Sequence, residues 1–214
     1  MTMLRKDLRA MLTMRAGIPP VAKLVAKSCP FCTGRPSSLR HFLGDCEHFR
    51  NFYVARHNKV VEAIALSLRK QFGTDAVSFN TSANRDGLPS DLQELLPLAL
   101  RRKEPDIILK DPSSNQFLLL ECQVTARRTL EEAAVLVEKQ EQYAELCRSS
   151  LGRCTQIVLL FNADVAIPDY VLRVFDKLLS ESSAKKLKKK IIKDLYGSFR
   201  ELRAMLVRFS NESN

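Results

Sequence analysis

The chain has 214 residues, 45% of them hydrophobic, and a formal net charge of +10. That balance excludes a disordered chain, and no apolar run approaches the roughly 20 residues of a membrane-spanning helix. The first stretch, MTMLRKDLRAMLTMRAG, is basic but has no uninterrupted apolar core, so it does not read as a secretory signal.

Taken in chain order, residues 1–27 form a basic N-terminal helical segment around LRKDLRAML, and residues 28–50 hold a Cys/His cluster. From Asn58, a plausible helix cap, NKVVEAIALSLRKQF has apolar residues at helical spacing. GTDAVSFNTSANRDGLPSD is polar and turn-rich, a loop with room for a short strand. PDIILKD and FLLLECQVT flank the turn formers DPSSN and predict a β-hairpin. In TLEEAAVLVEKQEQYAELC, Thr129 and Glu132 make a capping box, and Leu130, Ala133, Ala134 and Val137 make a helical stripe. The apolar run at 155–162 predicts a buried strand reached by a strand–helix–strand crossover. Two basic helical stretches, PDYVLRVFDKLLS and AKKLKKKIIKDLYGSFRELRAMLVRF, complete the chain. In the second, Leu187, Ile191 and Leu195 form an apolar stripe with lysines pointing outward. The reading is α/β, with units at 1–27, 28–50, 51–172 and 173–214.

Charge is segregated along this order. Residues 1–60 hold 11 Lys/Arg against 3 Asp/Glu, residues 173–209 hold 11 against 4, and residues 61–172 hold 12 against 16. Basic ends favour a polyanion through counterion release, and an acidic centre between them calls for a reason, such as a metal site.

Of the six cysteines, three cluster with a histidine as Cys29-x2-Cys32-x8-His41-x4-Cys46. Two thiolates from a tight turn and a His and a Cys about a turn apart can complete a zinc tetrahedron. His48 is a substitute ligand with poorer spacing. Four protein ligands leave no open position, so this zinc is expected to be structural, in a reducing compartment. Arg35, Arg40 and Arg50 surround the cluster and would present positive charge to nucleic acid.

Asp106 follows Pro105 at the start of the first hairpin strand, and Glu121 lies on the second. Carboxylates that converge in this way can hold Mg²⁺ or Mn²⁺ for phosphodiester hydrolysis. A hairpin nuclease site commonly places a lysine two residues after the second acid, on the same face. Here that position is Gln123. Lys139, about three turns into the next helix, can reach the same point, with Tyr143 one turn beyond it and Glu62 as a further carboxylate.

The order of these pieces resembles the C-terminal region of site-specific non-LTR retrotransposon proteins that carry a restriction-enzyme-like endonuclease. The resemblance runs over roughly residues 15–145: the CCHC knuckle, RHN at 56–58, KEPD at 103–106, the strand LLLECQVT and the helix segment EKQEQY. It implies a PD-(D/E)xK mixed sheet flanked by helices, behind an N-terminal zinc knuckle and ahead of a basic helical C-terminus. It implies zinc on Cys29, Cys32, His41 and Cys46, and Mg²⁺ or Mn²⁺ on Asp106 and Glu121. Lys139 would be the displaced catalytic lysine, with Gln123 at the vacated position. Arg56 and His57 would bind or position DNA, with Tyr143 beside Lys139; Arg40, by its charge, and Tyr143 are further candidate DNA contacts. Family members nick a double-stranded target whose 3′ end primes reverse transcription, so element RNA, a reverse transcriptase and a nuclear location are implied. The chain departs from the pattern at Glu104, inserted between Lys103 and Pro105, and has no Y-x-D-D polymerase signature; on this reading it nicks DNA without copying RNA by itself.

The run KKLKKK, with Lys185, Lys186, Lys188 and Lys189, is either a nuclear import signal or a phosphate-contacting face. Two other functions fit the same residues: a nuclease-like module that binds nucleic acid without cutting it, and a zinc-containing protein-interaction domain.

Overall fold

A computed structural model describes residues 28–32, 38, 40–111, 113–126, 129–163 and 165–212. The basic segment 1–27 and Arg35 lie outside the described residues. Four strands form one mixed sheet in chain order: β1 (Val77–Phe79), β2 (Ile107–Asp111), β3 (Gln116–Thr125) and β4 (Cys154–Asn162). The helices are α1 (Arg50–Phe72), α2 (Ser90–Glu94), α3 (Thr129–Ser149), α4 (Asp169–Leu178) and α5 (Glu181–Glu212).

The expected hairpin is present, with β2 and β3 antiparallel and Ile107 opposite Leu120. Its turn is built by Asp111, whose carboxylate accepts hydrogen bonds from the Ser113 N–H (2.9 Å) and from the hydroxyls of Ser113 (2.7 Å) and Ser114 (2.6 Å). These donors, the Ser114 hydroxyl first, hold the Asp111 carboxyl down to about 2. Asn115 takes the left-handed conformation, φ 53°, which an asparagine tolerates. β3 and β4 run parallel, so the chain must return to the starting end of the sheet between them, and α3 is that crossover. The short strand in the polar loop is β1, antiparallel to β2.

Strand alternation divides the core between the two faces of the sheet. Ile107, Leu109, Leu120, Cys122, Leu159 and Phe161 pack with α1, α4 and α5. Ile108, Phe117 and Leu119 pack with Tyr143 and Leu146 of α3 and with Leu92 of α2. Val135 of α3 covers Val158 and Leu160. On α5 the expected stripe is buried, with Leu187, Ile191 and Leu195 at 2%, 0% and 0% exposure. Its lysines face outward.

Two elements differ from the sequence reading. The helix expected to start at Asn58 begins at Arg50, and Asn58 lies inside it. No side chain caps its start. The first turns are held instead by Tyr53 and Arg56, whose side chains bond to carbonyls of the preceding Cys/His segment. The second difference is the face of α3. The expected stripe included Ala133, Ala134 and Val137, and all three are exposed. The buried line is Val135, Tyr143 and Leu146, with Lys139 half-buried among them. This rotation brings Lys139 and Tyr143 to partners on the sheet, which a stripe chosen on hydrophobicity overlooks. The side chains of Thr129, Leu130 and Glu132 lie outside the described residues.

Candidate functional site

Cys29, Cys32, His41 and Cys46 are positioned to bind a metal ion such as zinc: their ligand atoms all lie within 4.8 Å of one another. The Cys29 and Cys46 sulfurs are 4.0 Å apart, close to the roughly 3.8 Å edge of a tetrahedron with 2.3 Å zinc–sulfur bonds. Cys32 Sγ lies 3.1 Å from His41 Nε2. The sequence places the first pair on a turn. The second pair brackets a single wide helical turn, His41–Asp45. Burial, reinforced by the neighbouring Cys29, pushes the Cys46 thiol up to about 12. A bound cation would reverse that, since thiolates are the ligands. His48 is not in the group; it is exposed and stacks on Phe31 with ring centroids 5.0 Å apart.

Helix α1 is joined to this cluster. The Tyr53 hydroxyl donates to the Phe42 carbonyl (2.9 Å) and accepts from the Cys46 N–H (3.3 Å). Arg56 was expected on the DNA-binding face. It is 3% exposed, donates to the Leu43 carbonyl at 2.9 Å, and lies over the rings of Phe52 and Tyr53. Burial lowers its guanidinium to about 10. As placed, it anchors α1 to the knuckle and offers no surface to a phosphate.

The next residue on α1, His57, enters the carboxylate site. Its Nε2 is 2.9 Å from the Cys122 carbonyl and 3.2 Å from Asp106 Oδ2. That same Asp106 oxygen accepts the Cys122 N–H at 2.7 Å. Burial pulls the His57 imidazolium pKa down, but the hydrogen bond and charge of Asp106 outweigh it, and the net direction is upward.

Asp106 stands one rung beyond the Ile107–Leu120 pair, across from Glu121. Glu121 is 4% exposed, on the α3 face of β3. Its Oε1 accepts a 2.7 Å bond from Lys139 Nζ, which also reaches Gln142 Oε1 at 3.1 Å. Burial raises the Glu121 pKa, the Asp106 charge raises it further, and Lys139 offsets part of the shift. Glu121 Oε2 is buried with no hydrogen-bond partner among the described residues. Buried carboxylate oxygens normally have partners, and this open oxygen is compatible with a bound cation. Two carboxylates on paired strands would suit a hard cation such as Mg²⁺ or Mn²⁺, which takes oxygen ligands. Among the described residues, only the knuckle brings three or more metal-ligating side chains together.

Tyr143, expected to contact DNA, is 3% exposed. Its hydroxyl donates to the Glu104 carbonyl and accepts from Gln142, both at 3.1 Å, and burial raises its pKa. It therefore braces the approach to Asp106 from within. Gln123 lines a cleft of about 200 Å³ with Arg40, Thr125, Glu138 and Lys139. Arg40 is half-exposed there and pairs with Asp45 at 3.3 Å. Glu62 is exposed on α1. Lys185, Lys186, Lys188 and Lys189 are exposed on α5, with Lys185 paired to Glu181 at 2.6 Å.

Sequence reasoning missed Gln142, which joins Lys139 to Tyr143, and Gln156, whose amide donates to the Lys139 carbonyl at 2.7 Å. Gln142 lies three residues after Lys139, a spacing that puts both on one helix side. Gln156 carries no such signal, because its contact crosses from β4 to α3. No helix among the described residues is long and apolar enough to cross a membrane. No protein-family model matches this chain, nor does any curated protein sequence.

Proposed function

We propose that the chain is a Mg²⁺- or Mn²⁺-dependent DNA endonuclease of the PD-(D/E)xK type, acting as the nicking module of a non-LTR retrotransposon. The observation that carries this reading is the meeting of Asp106, Glu121 and Lys139: two carboxylates across a hairpin, one oxygen unpartnered, and an ammonium 2.7 Å from the other. The lysine comes from α3 because Gln123 occupies the usual strand position.

Asp106 and Glu121 would hold the cation. The chemistry a bound divalent cation supplies is acidification of a water and neutralisation of charge on a phosphoryl oxygen. Lys139 places positive charge beside that point, where it stabilises the pentavalent phosphate or orients the attacking water. The zinc knuckle and the α5 lysines would grip the DNA backbone, and their affinity would fall steeply with salt. A nuclear location, element RNA and a reverse transcriptase partner belong to the same reading.

A second reading is favoured by one feature. Lys139 already neutralises Glu121 and the motif lysine is absent, as in a nuclease fold kept for binding alone. Nicking of supercoiled plasmid with Mn²⁺ or Mg²⁺ separates the two. We expect the wild-type chain to nick, and Asp106→Ala to lose nicking while binding DNA equally or slightly more tightly, since a negative charge near phosphate is removed. Salt-sensitive binding without nicking by either protein supports the binding module. Salt-insensitive, weak binding supports a protein-interaction domain instead.

A further inference from the structure

We propose that His57 is the positioning residue for the Asp106 carboxylate: it pins one oxygen against the end of β3, so that the other is presented with Glu121 Oε2 to a divalent cation. The proposal rests on the nuclease reading above and assigns a device within that site.

The geometry starts from an incomplete ladder. β2 begins at Ile107, so beyond the Ile107–Leu120 pair β3 has no β2 residue to bond. The Cys122 N–H and C=O would be left open on a fully buried residue, which is unfavourable. Asp106 Oδ2 takes the N–H at 2.7 Å and His57 Nε2 takes the carbonyl at 2.9 Å. The ring nitrogen and the carboxylate oxygen then meet at 3.2 Å and close a three-membered network. Both partners of Nε2 are acceptors, so Nε2 carries the proton. A protonated nitrogen cannot be a metal ligand, which excludes Nε2 from coordination as placed.

Asp106 Oδ1 makes no hydrogen bond among the described residues and is the oxygen left for a cation. A carboxylate held at one oxygen has lost its side-chain rotation before metal arrives, so the entropy of ordering it is not charged against binding. His57 is itself held on both sides. Arg56 is bonded to the Leu43 carbonyl, and the Asn58 amide donates to the Ser82 hydroxyl at 2.7 Å. Asn58 Oδ1 also lies 3.3 Å from His57 Nδ1, a contact that fixes the second nitrogen when the ring is the doubly protonated imidazolium.

The competing role is a simple seal on the end of the strand. Mn²⁺ affinity of the full zinc-loaded chain, measured by electron paramagnetic resonance, distinguishes the two. His57→Ala should weaken Mn²⁺ binding by about 10- to 100-fold and lower the kcat for plasmid nicking, with KM for DNA little changed. His57→Gln, whose amide N–H can reach the same two acceptors, should recover most of both. If His57→Ala does not fold, His57→Asn, too short to reach Asp106, carries the same expectation. A folded Ala or Asn variant with wild-type Mn²⁺ affinity and only a lower Tm makes His57 a strand seal and overturns the proposal, leaving the nuclease reading intact. A wild-type chain that neither binds Mn²⁺ nor nicks DNA overturns the nuclease reading and this proposal together.

Discussion

A carboxylate buried in a strand costs several kcal/mol unless its charge is matched, and Glu121 is matched on one oxygen only. Replacing Lys139 by methionine keeps the volume and removes the match. We expect Lys139→Met to destabilise the chain by about 2–4 kcal/mol at pH 7 in urea unfolding. The loss should shrink at acid pH, because burial raises the Glu121 pKa and its protonated form needs no counter-charge. An equal loss at both pH values would mean that Lys139 acts through packing alone. At this scale, sequence reading reached Asp106 and Glu121, since a Pro-Asp and an acid inside an apolar run stand out. It reached Lys139 as a long side chain on the next helix able to extend to the same point, and the resemblance added its catalytic role. It could not reach the His57–Asp106 contact, which joins residues 49 apart in the chain. It also misjudged Arg56, because an arginine in a basic region is ordinarily exposed, and this one is buried against a carbonyl and two rings.

Among the elements, the hairpin was the most readable, because its turn chemistry and its two apolar runs agree. The turn makes a pH prediction. The folded Asp111 carboxyl titrates at about 2 against an ordinary 3.8, so its stabilising contribution is present above that ordinary value and lost as pH falls through about 2. The Ser113 amide resonance should therefore titrate near pH 2; a midpoint near 4 would show that the side-chain bonds do not persist in solution. The C-terminal helix was equally readable, since Leu187, Ile191 and Leu195 recur at helical spacing and the lysines between them have nowhere to go but water. Reversing Lys185, Lys186, Lys188 and Lys189 to glutamate should flatten the slope of log K against log salt for DNA by up to about 4. An unchanged slope would make this face merely solvated. The face of α3 was misread because its packed line includes a lysine and a tyrosine with polar tips, and a hydrophobic count gives them little weight.

For the whole molecule, the knuckle and the carboxylate pair are tied to one helix. Tyr53 and Arg56 hold the knuckle carbonyls, and His57 holds Asp106. Zinc removal should therefore reach beyond the knuckle. Chelation is expected to lower Tm by roughly 4–8 °C, the equivalent of about 2 kcal/mol in a domain of this size, and to expose the amides of residues 41–56 to hydrogen exchange. Loss of protection confined to residues 28–46 would show that α1 stands without the metal.

Legible in the residue order were the α/β class, the hairpin, the crossover to a buried strand, the four residues positioned to bind a metal and the outward lysines of the last helix. Each is set by local spacing, turn chemistry or hydrophobic period, and these act over a few residues. Packing in three dimensions settled which face of α3 is buried, which oxygen of Glu121 Lys139 meets, that Arg56 and Tyr143 are internal braces, and that His57 grips Asp106. Those outcomes depend on where β2 stops, which backbone groups that leaves open, and which distant side chain can reach them. No local pattern encodes them, because the free energy of satisfying a buried polar group is settled only when the partners arrive in space.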